Sequence, residues 1–243
     1  MTEFAQSEWS KREAATAFVE TGDRYLVERP RMLRILRSLY HHFLTPRNGD
    51  RPRRLLDLGS GNGAMAHELL KDDAEIEATL IDASPEMLEQ ARRRLQPYAH
   101  VGLLQHSFQD LLRGQATLPM YDVVVSGLAI HHLDANEKKA LFSYILDHLE
   151  PGGHFVNMDV VLADDASVEE WYMTLWREWI RETDARDPHT DQSLESIPQQ
   201  YKDNPDNVPS ALDEQLAALR DVGFRAVDCY YKYGVFAVYG GRK

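Results

Sequence analysis

The chain has 243 residues, enough for one α/β domain with a substantial core and additions to it. Its 39 acidic and 27 basic residues give a formal net charge of −12, which argues against nucleic-acid partners, because these require clustered lysine and arginine. The single cysteine, Cys229, excludes an internal disulfide and a cysteine-based zinc site, and no apolar run approaches membrane-spanning length. We therefore expect a cytoplasmic protein that binds neither nucleic acid nor membrane.

Four regions are predicted along the chain. Residues 1–50 form a helical cap, because 10–19 is rich in alanine and 31–43 carries apolar side chains at helical spacing. Residues 51–162 form a cofactor-binding core, in which apolar runs of strand length alternate with helical patterns. An aromatic-rich helical insert, predicted to act as a lid, follows over 163–209, and a helix with two strands over 210–243 completes the core.

The first core strand, over 53–58, runs into the turn Gly59-Ser60-Gly61-Asn62-Gly63, and a helical pattern begins at once over 64–70. Strand, glycine turn and helix in this order bind nucleotide-like cofactors at the carboxyl end of the strand. Without Cβ atoms, the turn can be tight and the backbone can lie against a ligand. Asp57 precedes the turn, and its carboxylate would repel a pyrophosphate but attract a ligand carrying an ammonium and a sulfonium. S-adenosylmethionine (SAM) is such a ligand.

This stretch resembles motif I of the class I SAM-dependent methyltransferases, D/E-x-G-x-G-x-G, with every fixed position filled. The resemblance covers about 50–160 and 210–243 and is to the small-molecule enzymes of methyltransferase types 11 and 12. It implies an α/β, Rossmann-like, doubly wound sheet of seven strands whose last strand is antiparallel. It also implies that Tyr25 and Arg29 close over the methionine end of SAM, although both residues equally suit an ordinary helix start.

The second core strand ends at Asp82, which follows Gly59 at roughly the 20-residue spacing of an acid that accepts hydrogen bonds from a ribose diol. The next residue, Ala83, is assigned to the same cofactor site. Ser84 and Pro85 then predict a helix start. Met87 resembles the family residue that packs near the adenine ring, and an ordinary place in the helix core suits it equally well.

The third core strand lacks one feature of the family. An aspartate that accepts a hydrogen bond from the adenine amine commonly follows this strand, and this chain has His106-Ser107-Phe108-Gln109-Asp110 there. Ser107 or Asp110 is the candidate substitute, and Phe108 is the candidate to flank the ring.

The fourth strand, over 121–126, ends in Gly127-Leu128-Ala129-Ile130-His131-His132-Leu133, which resembles the phrase closing motif IV in many small-molecule methyltransferases. Gly127 is assigned to the cofactor site, and His131 and His132 are candidate bases. Adjacent side chains usually point apart, so at most one histidine is expected to be catalytic while the other holds the loop. Asn157 on the fifth strand is predicted to face the pocket. No residues have metal-ligand spacing, so no metal is expected.

The insert holds four aromatic residues over 167–181. Ring faces attract cations, so such residues suit the wall of a site that binds a sulfonium. The alternative is that the tryptophans only dock the insert onto the sheet. We expect both roles, with Tyr172 and Trp176 assigned to the site.

The expected activity is transfer of a methyl group from SAM to a small molecule in biosynthesis. One alternative on the same fold uses SAM alone, cyclising its aminobutyrate chain to azetidine-2-carboxylate with release of methylthioadenosine. Another is a non-catalytic SAM-binding regulator. A nicotinamide oxidoreductase is disfavoured by Asp57. The partners are a small-molecule substrate, or SAM as the sole substrate, and a homodimer is left open.

Overall fold

The computed structural model describes residues 4, 7–44, 51–186 and 194–243. The strands of these residues form one sheet in the order β3-β2-β1-β4-β5-β7-β6, with β1 to β5 parallel and β7 antiparallel to both of its neighbours. Their bounds are β1 (Arg54–Leu58), β2 (Glu77–Asp82), β3 (Val101–Gln105), β4 (Tyr121–Gly127), β5 (Leu149–Val160), β6 (Arg225–Tyr233) and β7 (Phe236–Arg242). The predicted fold class, a doubly wound sheet of seven strands with an antiparallel last strand, is confirmed.

Helices cover both faces of this sheet. They are α1 (Arg12–Tyr25), α2 (Arg29–Phe43), α3 (Ala64–Leu70), α4 (Pro85–Leu95), α5 (Phe108–Leu112), α6 (Ala135–His148), α7 (Ala166–Asp184), α8 (Ile197–Asp203) and α9 (Leu212–Val222). Successive strand residues point to opposite faces, so Leu55 joins a core with α2, α3, α4 and α7, whereas Leu56 joins one with α5, α6 and α9. None of the helices within the described ranges is both long enough and apolar enough to cross a membrane.

The largest boundary difference is at the fifth strand, because the sequence Pro151-Gly152-Gly153 predicts a break with the strand beginning after it, near Phe155. Strand β5 instead begins at Leu149 and includes the break. A Cβ at Gly153 would lie 3.1 Å from the carbonyl oxygen of Asp122, so the glycine permits close backbone approach where the β4–β5 register shifts. The short helix α5 was also not predicted.

The insert contains α7 and α8, and two tryptophans fix α7 to the body of the protein. Trp176 is 1% exposed, donates its indole N–H to the carbonyl of Tyr25 at 2.7 Å, and meets Phe236 edge-on. Trp179 stacks on Tyr233 with ring centroids 4.2 Å apart. The four-region division stays a prediction, and its stretches 45–50 and 187–193 lie outside the described residues.

Candidate active site

A cleft in two joined compartments lies at the carboxyl ends of the central strands. The larger compartment has a volume of about 950 Å³ and the smaller about 330 Å³. Both are lined by residues of the glycine turn, of the loop after β4 and of α1, namely Gly59, Gly61, Gly127, Leu128 and Phe18. A ligand long enough to cross these residues can occupy both compartments at once.

The three glycines of the turn have different roles. All three have positive φ, at 62°, 52° and 73° for Gly59, Gly61 and Gly63, which favours glycine over other residues. A Cβ at Gly59 would lie 2.4 Å from the Ala129 Cβ, whereas one at Gly61 would meet no protein atom within 4 Å. Both therefore line the cleft. Gly63 does not, because it packs between helix and sheet, where a Cβ would lie 3.0 Å from Leu95.

Asp57 places a buried carboxylate against the smaller compartment. It is 1% exposed, and its Oδ2 accepts a hydrogen bond from the Ala66 amide at 3.2 Å. Its Oδ1 has no hydrogen-bond partner among the described residues. Burial raises the pKa of this carboxyl from its ordinary value to about 7. A buried acceptor without a partner is costly, so a cationic donor entering the compartment would relieve it.

Arg29 lines the same compartment and carries the opposite charge. Its Nη1 donates to Asp23 at 2.9 Å, and its Nε is buried without a partner among the described residues. The guanidinium lies 5.8 Å from the centroid of the Phe18 ring. Arg29 and Asp57 together suit a zwitterionic group, with a carboxylate for the first and an ammonium for the second.

Tyr25, predicted to cover the same group, does not line either compartment. It packs edge-on against Phe18 with centroids 6.4 Å apart, and its carbonyl holds the indole of Trp176. Phe18 supplies the aromatic wall in its place. The sequence signal was available, because Phe18 precedes Tyr25 by two helical turns and shares its face of α1.

Asp82 lies in the larger compartment, as predicted from its spacing. Its Oδ2 accepts from the Gly61 amide and its Oδ1 from the Ser84 amide, both at 2.8 Å. Burial raises the pKa of this carboxyl. The carboxylate therefore fixes the glycine turn and keeps acceptor capacity for a ligand hydroxyl. Ala83 and Met87 line the compartment beside it.

The start of α5 forms the wall beyond Asp82. Ser107 and Phe108 line the larger compartment. The Asp110 amide donates a hydrogen bond to Ser107 Oγ at 3.1 Å, and the Ser107 amide donates one to the Asp110 carboxylate at 2.9 Å. Asp110 does not line the cleft, because this capping box occupies it. His106 and Gln109 line the wall too and were not predicted.

The two adjacent histidines do not point apart as expected, because their ring centroids lie 4.2 Å from each other. His131 is 5% exposed, and its Nδ1 lies 2.6 Å from Asp159 Oδ1, so it holds the loop and does not line the cleft. His132 does line it. Its Nδ1 lies 3.0 Å from the carbonyl oxygen of Asp206, which can only accept, so Nδ1 carries the proton and Nε2 is an acceptor. Burial, together with the neighbouring His131, lowers the pKa of His132 to about 3. Such a group stays neutral and is a weak base.

Three further residues assigned to the site lie outside its lining. Asn157 is fully buried and donates to the Tyr239 hydroxyl at 2.7 Å. Tyr172 packs against the core, and its hydroxyl accepts a hydrogen bond from Lys232 at 3.3 Å. Trp176 faces the core because docking of α7, rather than a ligand, buries it. These placements correct the expectation that the insert's aromatic rings form the site wall.

The wall opposite the sheet comes from segments that are distant in sequence. Phe4, Ser7 and Trp9 line the larger compartment, as does Asp206 after α8. The Trp9 ring meets Phe18 edge-on at 5.4 Å and lies 6.1 Å from His132. No local motif marks these residues. Nor does any group of three or more His, Cys, Asp or Glu side chains within the described ranges have an arrangement that could hold a metal ion.

Residues 56–155, which include this glycine turn and both acidic strand ends, match the family model of a methyltransferase domain. This stretch is thus a methyltransferase domain, which supports the resemblance to the class I SAM-dependent methyltransferases. A malonyl-[acyl-carrier protein] O-methyltransferase from Halalkalibacterium halodurans is 31% identical over 35% of this chain and 31% of its own length. A carboxy-S-adenosyl-L-methionine synthase from Desulforapulum autotrophicum is 26% identical over 75% of this chain and 72% of its own.

Solved methyltransferase structures share the fold. An O-methyltransferase family protein from Burkholderia thailandensis superposes with a TM-score of 0.63 at 17% identity, covering 96% of this chain and 59% of that one. The chain thus spans about a third of the first curated relative above and under two thirds of that solved chain.

The cleft fits SAM, the cofactor of class I methyltransferases. The unpartnered Oδ1 of Asp57 and Nε of Arg29 match an amino-acid end, and Asp82 in the joined compartment matches a ribose. The bare backbone at Gly61 leaves room between them.

Replacing Asp82 by alanine is expected to weaken SAM binding by roughly 1–3 kcal/mol, the cost of leaving buried hydrogen-bonding groups without a partner. The affected groups are the Gly61 amide and the ribose hydroxyls. Calorimetric titration with S-adenosylhomocysteine (SAH) measures the effect. Asp213→Ala, an exposed acid at the start of α9, is the control. Equal affinities for the two variants would remove Asp82 from the site.

Proposed function

We propose that this methyltransferase moves the methyl group of SAM to a small-molecule acceptor held in the larger compartment. The observation that carries the proposal is the joined cleft, which has a carboxylate oxygen without a partner among the described residues at one end and room beside His132 at the other. The bound cofactor supplies an electrophilic methyl carbon on its sulfonium. The protein's own contribution is alignment, exclusion of water and placement of a hydrogen-bond acceptor near the nucleophile.

Each residue has a separate role in this proposal. Arg29 would pair with the cofactor carboxylate and Asp57 would accept from its ammonium, which fixes the amino-acid end. Asp82 would accept from the ribose, while Met87 and Phe108 enclose the adenine. Gly59 and Gly127 allow backbone approach: a Cβ at Gly127 would lie 2.6 Å from the Met65 sulfur, so any other residue there would require the Met65 side chain to move.

His132 would orient the acceptor rather than remove its proton. Its neutral ring offers Nε2 to an O–H or N–H of the acceptor, and this hydrogen bond directs the nucleophile's lone pair. The low pKa of His132 makes it a poor proton acceptor in the ground state. The nucleophile therefore loses its proton as its charge develops, and solvent can receive it.

The direct test is incubation of the purified protein with SAM and a fraction-resolved metabolite extract, followed by mass spectrometry. Formation of SAH that requires an added fraction, with a product heavier by one methylene, supports methyl transfer. Incubation with SAM alone is the control. Methylthioadenosine there would indicate cyclisation, and a carboxylated SAM would match the Desulforapulum relative. SAM binding without turnover in any fraction would contradict the proposal and favour a regulatory role.

Replacing His132 by leucine is expected to lower kcat by about 100-fold with the acceptor found in that screen, because the nucleophile loses its orienting hydrogen bond. SAH affinity should be unchanged. His132→Gln restores a polar acceptor and should recover part of the rate. His100→Leu, on an exposed loop, is the control. A leucine variant with full kcat would leave His132 as a wall residue only.

We also propose that the protein is a cytoplasmic biosynthetic enzyme that acts on small molecules. The net charge of −12 and the single cysteine support this assignment. A homodimer is part of the proposal to be tested, and light scattering after size-exclusion chromatography measures it.

A further inference from the structure

The part of the larger compartment beyond the cofactor residues has an aromatic and aliphatic wall, here named the acceptor compartment. Its lining residues are Phe4, Trp9, Phe18, Leu128, Leu133, His132 and Asp206. Trp9 and Phe18 meet edge-on, and the Trp9 ring also faces His132. Such a wall favours a flat, apolar or aromatic molecule, because ring edges and faces stack on it.

The charged residues that line the larger compartment are acidic. Asp82 and Asp206 are acidic, and no lysine or arginine occurs in the described lining of the larger compartment. Arg29 lies in the smaller compartment and is paired with Asp23 at 2.9 Å. Lys138 lies near His132, but its ammonium is held by the Val208 carbonyl and by the Ser210 hydroxyl at 2.8 Å. The chain as a whole adds a net charge of −12. An anionic acceptor would therefore be repelled.

The imidazole of His132 in this wall requires a hydrogen-bond donor on the ligand. Since the Asp206 carbonyl takes the Nδ1 proton of His132, the remaining Nε2 can only accept. Asp206 belongs to the same lining, and its ionised side chain carries acceptors and no donor. An ionised carboxylate or phosphate has no proton to donate to these acceptors, whereas the O–H of a phenol or the N–H of an amine can form the hydrogen bond.

We propose that the acceptor is an uncharged or amine-bearing aromatic molecule that presents an O–H or N–H to His132, and that carboxylates and phosphates are excluded. This inference rests on the proposed function, because it assumes that the cofactor occupies the other half of the cleft. Asp206 is assigned as the residue that selects for positive charge.

The test uses three phenols of the same shape: para-ethylphenol, tyramine and para-hydroxyphenylpropionate. Each is titrated by calorimetry into the full-length protein saturated with SAH. We expect the neutral and cationic phenols to bind at least about tenfold more tightly than the anionic one, because only the anion meets like charge. Asp206→Asn should remove the advantage of tyramine over para-ethylphenol, because the backbone carbonyl that holds His132 is kept. Asp203→Asn, on the exposed side of α8, should leave all three affinities unchanged.

Equal binding of the anion and the neutral phenol would overturn the inference. So would no binding of any of the three at millimolar concentrations, because the aromatic wall should retain the shared ring. SAH affinity, measured first, separates the two proposals. Normal SAH binding with the wrong charge preference defeats only this inference, whereas loss of SAH binding defeats the proposed function and the inference with it.

Discussion

Replacing Asp57 by asparagine is expected to weaken SAM binding by about 3 kcal/mol or more, the usual cost of removing one partner from a buried charged pair. The carboxylate has one oxygen held by Ala66 and one left for the ligand. Asparagine keeps the shape but loses the charge, so the ligand ammonium and sulfonium lose their counter-ion. Calorimetric titration with SAM measures the effect, and Asp221→Asn, an exposed acid paired with Lys139, is the control.

The same variant should also change the pH dependence of binding. The pKa of Asp57 is raised to about 7, and a cationic ligand favours the ionised form. SAM affinity should therefore rise with pH up to neutrality and level off above it, with proton release on binding in the rising part. Asp57→Asn should abolish this proton release. A wild-type affinity that is flat across this range would contradict the assignment.

Stability without ligand should move in the opposite direction. Between the ordinary carboxyl pKa of 3.8 and the raised value of about 7, the folded state binds more protons than the unfolded state. The free energy of unfolding therefore falls as pH rises through that window. Above neutral pH the asparagine variant should be more stable than the natural chain, on the order of a few kcal/mol. Urea unfolding at acidic and alkaline pH compares the two proteins.

Replacing Gly59 by alanine is expected to cause a large loss of both stability and cofactor binding. The residue has φ of 62°, which costs an L-residue roughly 1–2 kcal/mol. The new Cβ would also lie 2.4 Å from the Ala129 Cβ, and such overpacking typically costs about 1–3 kcal/mol more. We therefore expect a loss of several kcal/mol in unfolding free energy, together with loss of SAH binding, because relief of the clash moves the loop after β4.

Gly114→Ala is the matched control for that experiment. Gly114 has φ of 74°, but a Cβ there would meet no atom within 4 Å, and the residue lies outside the cleft. It should show only the backbone cost and keep normal SAH affinity. If Gly59→Ala were no less stable than Gly114→Ala, the close contact with Ala129 would not exist in solution.

The cofactor half of the site was predictable because its information is local. Asp57 and the glycine turn occupy adjacent positions, and Asp82 follows at a spacing set by one helix and one strand. Parallel strands bring such residues to the same edge of the sheet. The sequence therefore determined their places without knowledge of distant contacts.

The acceptor half was not predictable because distant segments build it. Trp9, His132 and Asp206 come from three separate parts of the chain and meet only in the fold. Trp176 shows the opposite case, a residue that was assigned to the site but lies in the core. Its aromatic ring suits a site wall, but burial against Phe236 and a bond to the Tyr25 carbonyl use it for docking. Side-chain chemistry alone does not distinguish these two uses.

Two hydrogen bonds that involve main-chain atoms of the insert join it to the loop after β4, which carries His131 and His132. The carbonyl of Asp206 holds His132, and the amide of Val208 donates to the carbonyl of His131 at 2.7 Å. Exchange of the side chain at position 206 therefore keeps both hydrogen bonds. Directed evolution of acceptor range can begin at this position without disturbing the geometry of the neighbouring imidazole.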